Sequence, residues 1–347
     1  MISKNLKPQK NRKIALLILI LIFILPFLMI SGLFYITNMP EKSYKGSFQP
    51  LSKSEQLLSD RLKTHVFMLA SKIGERNIWK YSSLEASVNY IARVLIELGY
   101  EVKEQEYVVD KKIVKNIEAE ISGTSRKKEI IIVGAHYDSF KGSPGANDNA
   151  SGVAALLEIA RFFTKEKPSR TVRFVAFVNE EEPFFQTINM GSRVYAARVQ
   201  GNDENIVAML SLETIGYYSD KVDSQNYPFP LSFVYPKTGN FIGFVGNISS
   251  RKLVHQTISF FRSHTAFPSE GASAPGWITG IDWSDHWSFW EEEYPAIMIT
   301  DTALYRYKHY HKPQDTPDKL SYDRFARVVW GITQIVKDLS GSQNNNN

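Results

Sequence analysis

The sequence has no cysteine in 347 residues. That excludes a disulfide framework and every thiolate metal site, so a metal ion would have to be held by His, Asp or Glu. Histidine is sparse too, with seven in the chain, few enough to weigh one by one. A charge imbalance is missing over most of the length. Lys4, Lys7, Lys10, Arg12 and Lys13 precede residue 14 with no acid among them, out of 41 basic and 36 acidic residues in all. The formal charge of +5 therefore belongs to the first residues, and the remainder is neutral. This argues against a nucleic-acid partner despite a pI near 9.0. Internal repeats are absent, and 43% hydrophobic with 22% charged residues is ordinary globular composition.

One long hydrophobic run is present. Ile14 to Ile36 carries no charge. As a helix it would span roughly 35 Å at about 1.5 Å per residue, against a hydrocarbon core of about 30 Å. Cleaved signal peptides have shorter apolar regions, about 7–15 residues, and no small-residue cleavage site stands out. The expectation is a single-pass membrane anchor over 14–37, with the basic tail 1–13 in the cytoplasm and everything after it extracytoplasmic. Residues 38–53, rich in Ser, Pro and Lys, read as a linker, 54–340 as one folded domain and 341–347 as a disordered polar tail. Oligomeric state is not legible.

Within the domain, residues 54–76 read as a helix. A second begins at the capping box Ser82-Ser83-Leu84-Glu85, buries Leu84, Val88, Ile91, Leu95 and Leu98, and stops at Gly99. Strands are expected near 101–109 and 114–121. Short apolar runs at 130–133, 172–178, 206–212 and 296–299 alternate with helices at 150–163 and 190–199, and a closing helix fills 321–339. This alternation predicts a three-layer α/β sandwich with a mostly parallel central sheet flanked by helices.

Open α/β sheets place their sites beyond the carboxyl ends of the strands. There the sequence reads Gly134-Ala135-His136-Tyr137-Asp138-Ser139, then Gly145-Ala146-Asn147-Asp148-Asn149-Ala150-Ser151-Gly152, then Asn179-Glu180-Glu181-Glu182-Pro183, Ser211-Leu212-Glu213-Thr214 and Tyr310-His311-Lys312-Pro313-Gln314-Asp315-Thr316. Each group has a plain structural role open to it: a hydrogen-bonded histidine, a solvated acidic strand end, an N-cap aspartate. Position argues otherwise. Several strand ends would deliver acids and imidazoles to one rim, and clustered carboxylates repel unless a cation neutralises them. Two His and three carboxylates without Cys suit Zn²⁺ or a similar ion.

With these motifs in this order, together with Ser284-Asp285-His286-Trp287-Ser288-Phe289-Trp290, the chain resembles the M28 type of zinc-dependent aminopeptidase, from about His136 to Asp318. The resemblance implies a mixed sheet sandwiched by helices in the manner of zinc exopeptidases, an M28-like peptidase domain over 54–340, peptide substrates and two zinc ions. It assigns His136 and Glu213 to one ion, Glu181 and His311 to the other, and Asp148 as the bridge. The family often has Asp where this chain has Glu213, which is one methylene longer. Glu180 would be the general base toward a water shared by the ions, Tyr310 a donor to the developing oxyanion, and Asp138 a carboxylate orienting a ligand. The Asp148–Asn149 bond would be cis. Glu182 leaves a shift of one residue open, and Glu180 and Glu181 are preferred because they directly follow the strand.

His65 and His255 read as surface or packing residues of helices, and His264 as part of an irregular stretch. His309 competes with His311, which the His-x-x-x-Asp-Thr spacing favours. Asp285 and His286 read as support or pocket residues. Trp277, Trp283, Trp287, Phe289 and Trp290 fit either a side-chain pocket or the core. The resulting expectation is a membrane-anchored metallo-aminopeptidase acting on N-terminal peptide bonds. A glutaminyl-cyclase-like acyltransferase of the same fold with one zinc is the alternative. A non-catalytic binding ectodomain is disfavoured, because all five ligands and Glu180 are present.

Overall fold

A computed structural model describes residues 7–342. The first six residues of the expected basic tail, and the expected polar tail from 343 onward, lie outside the described residues. Helices α1 (Lys7–Leu19) and α2 (Leu25–Thr37) are joined through a short π-helical stretch, Ile20–Ile24. Arg12–Thr37 is long and apolar enough to cross a membrane, and none of its most apolar window is buried against the rest of the chain. The residues read as a linker lie against the domain. Arg262 Nη1 donates to the carbonyls of Pro40 (2.6 Å) and Glu41 (2.9 Å), and the Phe48 ring stacks on Phe267.

Ser52 caps α3 (Lys53–Phe67) in a capping box with Glu55, a signal the sequence reading passed over. The capping box expected at Ser82 is not one. A 3-10 turn at Ile78–Lys80 runs directly into α4 (Tyr81–Glu97), which has no side-chain cap of its own; the Asn77 carboxamide caps the turn, accepting from Trp79 N and Lys80 N. Gly99 ends the helix at φ +91°, backbone that glycine adopts without a Cβ penalty.

Eight strands form one sheet: β1 (Val102–Val109), β2 (Lys112–Ile121), β3 (Arg126–His136), β4 (Arg170–Phe177), β5 (Asn205–Glu213), β6 (Ile242–Gly246), β7 (Ser269–Ser273) and β8 (Ala296–Thr300). Their order is β1-β2-β4-β3-β5-β8-β6-β7. The centre, β4-β3-β5-β8, is parallel, while β1, β2 and β6 enter antiparallel. The expected mixed three-layer sandwich is what is found. Helices α5 (Gly152–Phe163), α6 (Gly191–Gly201), α7 (Arg251–His264), α8 (His286–Trp290) and α9 (Tyr322–Ser340) complete the α-helices among the described residues.

The sheet buries a larger core, which takes in α3, α4, α5, α7 and α9, and a smaller one. Val133, Phe174 and Leu210 face the former and Ile132, Val175 and Met209 the latter, the period-2 alternation of a doubly covered sheet. The one charge on a face of these central strands, Arg173 of β4, is taken up by Glu118, Glu120 and Glu204, which leaves the strand ends to present polar chemistry to solvent. The structure also corrects His264, which ends α7 and pairs with Asp338 at 2.8 Å. His65 is a buried packing residue, bonded to the Tyr90 hydroxyl and to Glu158.

Candidate metal centre

Parallel pairing puts the carboxyl ends of β3, β4 and β5 side by side. His136 closes β3 and Glu213 closes β5, while Glu180 and Glu181 follow β4 after a short turn. The chain turns sharply after β4 and β5, where Asn179 and Thr214 have φ of 56° and 44°, and again at His311 in the loop beyond β8, at 57°. That left-handed region is one non-glycine residues seldom enter, and it clusters at functional sites.

Asp148 sits in the loop before α5, and its neighbours hold that loop. The Asn149 carboxamide donates to Leu212 O (2.8 Å) and accepts from Thr214 N (3.1 Å). The Asn147 carboxamide donates to Asp301 (2.9 Å) and accepts from Gly216 N (2.9 Å). These two amides tie the loop to the exit of β5. The Asp148–Asn149 bond is cis. Gly145 lies at φ +61°, where a Cβ would strike the Asp148 carbonyl and the Ser139 side chain.

Two groups of ligand atoms result, His136/Asp148/Glu213 and Asp148/Glu181/His311, each within 4.8 Å among themselves and sharing Asp148. His136 Nε2 lies 3.3 Å from Asp148 Oδ1 and 3.2 Å from Glu213 Oε2. His311 Nε2 lies 3.1 Å from Asp148 Oδ2 and 3.2 Å from Glu181 Oε2. The Glu180 carboxylate approaches His136 Nε2 to 3.8 Å. Glu182, by contrast, is exposed, which separates it from this group.

Several of these atoms are buried without a hydrogen-bond partner: both ring nitrogens of His136, Asp148 Oδ2 and Glu181 Oε1. Such atoms are costly unless something occupies the space between them. Burial, then repulsion from Asp148, pushes the Glu181 carboxyl up to about 8. Burial also raises Glu180 and Glu213 against the pull of His136. For His311, burial works downward, but Asp148 and Glu181 lift it to about 11. An excess of facing acids with orphaned donor atoms is the environment a divalent cation relieves, and the N/O donor set fits zinc.

Around this centre, Asp138 accepts from Glu180 N (3.1 Å) and Glu181 N (3.2 Å), and lies 3.5 Å from His136 Nδ1. The Tyr310 ring stacks on His311 at 3.8 Å, and Phe140 stacks on the other face at 4.0 Å. Asp285 is buried with both carboxylate oxygens unpartnered, and burial raises it to about 7. His286 Nε2 donates to the Ile281 carbonyl at 2.8 Å. Of the tryptophans and Phe289, Trp283 lines the adjoining cavity, Phe289 is core and Trp277 is exposed.

Three supporting residues escaped the sequence reading. Asp315 accepts from Asn147 N (2.8 Å) and Asp148 N (3.1 Å). It stood inside the His-x-x-x-Asp-Thr spacing, which was the available signal. Ser284 donates to Glu213 Oε2 at 2.8 Å. Arg76, fully buried, donates to the carbonyls of Tyr137, Pro144 and Gly145, and nothing local in the sequence marks it.

A cleft open to solvent, about 800 Å³ with its mouth included, adjoins the centre at Glu213 and Tyr310. Its walls include Leu231, Phe241, Trp283 and Met298.

A model of peptidase family M28 matches residues 116–336. The Escherichia coli K12 protein YfbL, itself described as uncharacterized, is 40% identical over 286 residues, 80% of this chain and 87% of that protein. Among solved structures, the zinc aminopeptidase BSAP of Bacillus subtilis superposes with a TM-score of 0.65 at 14% identity, over 83% of this chain and 96% of that one. The glutaminyl cyclase of Bacteroides thetaiotaomicron gives 0.61 at 17% identity, over 80% and 97%. At these identities the likeness speaks for the fold.

Proposed function

The chain belongs to peptidase family M28, and from that premise we propose that it is a membrane-anchored, zinc-dependent aminopeptidase. One observation carries the reading: two ligand groups sharing Asp148, with Glu180 beside them. His136, Asp148 and Glu213 would hold one zinc ion, and Asp148, Glu181 and His311 a second. Bound there, the ions supply Lewis acidity toward a scissile carbonyl and toward water.

The chain's own residues do the rest. Asp138 fixes the backbone of Glu180 and Glu181 through their amides and faces His136 Nδ1, so base and ligands are oriented by one carboxylate. The Glu180 carboxylate accepts a proton from the attacking water and returns it to the departing amine. Tyr310, beside His311 and facing the cavity, donates a hydrogen bond from its hydroxyl to the carbonyl oxygen as negative charge develops there. The apolar cavity receives the side chain of the terminal residue.

The N-terminal helix anchors the enzyme, with its basic flank in the cytoplasm and the catalytic domain outside. The fold likeness to a glutaminyl cyclase keeps acyl transfer as a second reading. The shared Asp148 supports the two-ion peptidase over it. The test is full-length protein in detergent, with zinc per chain counted by elemental analysis. Turnover of aminoacyl and N-terminal glutaminyl substrates is followed with and without chelator. About two zinc ions and chelator-sensitive release of N-terminal residues support the proposal. One zinc with cyclisation of glutaminyl substrates overturns it.

A further inference from the structure

Among the residues lining the cavity beside the centre, the charged ones are Glu213 and Glu270, and no basic residue joins them. Their placement follows from the sheet. Glu213 on β5 stands opposite Thr300 on β8, Thr300 opposite Gly243 on β6, and Gly243 opposite Glu270 on β7. Register partners project to the same face, so these four residues make one line across the sheet, and all four line the cavity. Three inter-strand steps of about 4.8 Å separate the outer backbones by roughly 14 Å. Between them stand a glycine and a threonine, which leave a trough. At one end is a candidate zinc ligand and at the other a second carboxylate.

Glu270 has no ion-pair partner within 4.0 Å among the described residues. Arg262 lies close enough to act on it. Its guanidinium, however, is committed to Ser269 Oγ, Ser269 O, Pro40 O and Glu41 O. Burial raises the Glu270 carboxyl despite Arg262, Ser43 and Lys45. Its field also reaches the phenols of Tyr227 and Tyr235, whose rings stack on each other in the cavity wall. The carboxylate thus belongs to the far end of an otherwise apolar chamber.

We infer that this chamber is a pocket for a basic N-terminal residue, lysine or arginine, with Glu270 receiving the cationic end of its side chain. The inference rests on the aminopeptidase reading of the adjoining centre. A long aliphatic stem matches the apolar walls, and a terminal ammonium or guanidinium supplies the charge that Glu270 lacks. An aliphatic or aromatic side chain would fill the same volume while leaving a half-buried carboxylate without an ion-pair partner, which a polar site penalises.

The full chain in detergent, zinc-loaded, is assayed on arginyl, lysyl and leucyl 4-nitroanilides. The expected kcat/KM favours arginine or lysine over leucine by about tenfold or more. Glu270→Gln should lower that ratio by about 10–100-fold, the scale of a lost charge-assisted hydrogen bond. A native preference for leucine, or a ratio unchanged by Glu270→Gln, overturns the inference. Calorimetric binding of arginine amide and leucine amide to the Glu180→Gln protein separates this idea from the one beneath it. Tighter arginine amide binding that is lost in Glu180→Gln/Glu270→Gln supports the pocket even if no substrate is turned over, and then only the peptidase reading falls. Equal binding of the two amides, or none of arginine amide, overturns the pocket.

Discussion

Glu158 and Asp148 are both buried carboxylates facing histidine, and they are neutralised in different ways. Glu158, on α5, receives Arg61 Nε (2.5 Å), Arg161 Nε (2.9 Å) and His65 Nε2 (3.1 Å). The protein brings its own cations, and Glu158 is pulled down to about 2 against the effect of burial. Asp148 meets only His136 and His311, in company with Asp138, Glu180, Glu181 and Glu213. Among the described residues no lysine or arginine lies within 4.0 Å of these carboxylates. Arg76 is near, but its donors go to backbone carbonyls. A buried acid with guanidinium partners is part of the fold's stability. A buried group of acids without them is complete only with a cation from outside, and that separates a structural cluster from a functional one.

The comparison breaks most severely at the shared ligand. Asp148→Ala should lose zinc from both positions and with it all turnover; a fully loaded variant would contradict the bridge. Added zinc should raise the melting temperature of the native chain and leave that of Asp148→Ala unmoved. The stabilisation at 100 times Kd would be about 2.7 kcal/mol. Glu180→Gln separates chemistry from binding. Its zinc content should match the native chain while kcat falls about 10²–10⁴-fold, the usual contribution of a general base. Elemental analysis and turnover on one preparation decide both.

On the structural side, Glu158→Gln should cost about 3 kcal/mol without touching zinc affinity, because it discards a buried charge that is held down to about 2 in the folded chain and takes the acceptor from the half-exposed Arg61 and Arg161. The pH dependence has a definite sign. The folded carboxyl titrates near 2 against an ordinary 4.5. Its stabilisation is therefore complete above pH 4.5 and drains away as pH falls from there through 2. Denaturation midpoints at pH 6 and pH 3 should differ less in Glu158→Gln than in the native chain. An equal pH dependence would show that this cluster does not carry the acid sensitivity.

The same contrast explains what the sequence could disclose. Strands β3, β4 and β5 are continuous apolar runs because both faces are covered, and polar residues right after such a run stand at the sheet's rim. His136, Glu180, Glu181 and Glu213 were therefore readable from position, as was His311 from its spacing to Asp315. Two of the three partners of Glu158 were not, since Arg61 and His65 lie 97 and 93 residues away and nothing in a helix pattern names a distant ion pair. Arg76 is hidden for a related reason: it binds main-chain carbonyls, which leave no trace in residue types. Strand β7 reads Ser-Glu-Gly-Ala-Ser, an edge strand with no apolar run, and so went unseen. With it went Glu270. The helix start was misplaced because Asn77 caps a 3-10 turn that precedes α4.

Two milder substitutions sharpen the comparison from the side of the zinc ligands. Asp315→Asn keeps the shape but weakens acceptance from Asn147 N and Asp148 N. Burial already holds this carboxyl up to about 7, so its charge is partly withdrawn near neutrality. Zinc affinity should drop about 10–100-fold, the range for residues that orient ligands, with the fold intact by circular dichroism. Ser284→Ala should do less. It removes one hydrogen bond to Glu213 Oε2, but that carboxylate is also held at the end of β5 and faces His136 Nε2. A neutral hydroxyl contributes about 0.5–1.5 kcal/mol, so zinc affinity should fall less than about tenfold. Because Glu213 belongs to only one of the two ligand groups, competition with a chelator should show one zinc ion leaving earlier while the other is unchanged. Equal weakening of both ions would mean that the groups do not act as two sites joined through Asp148.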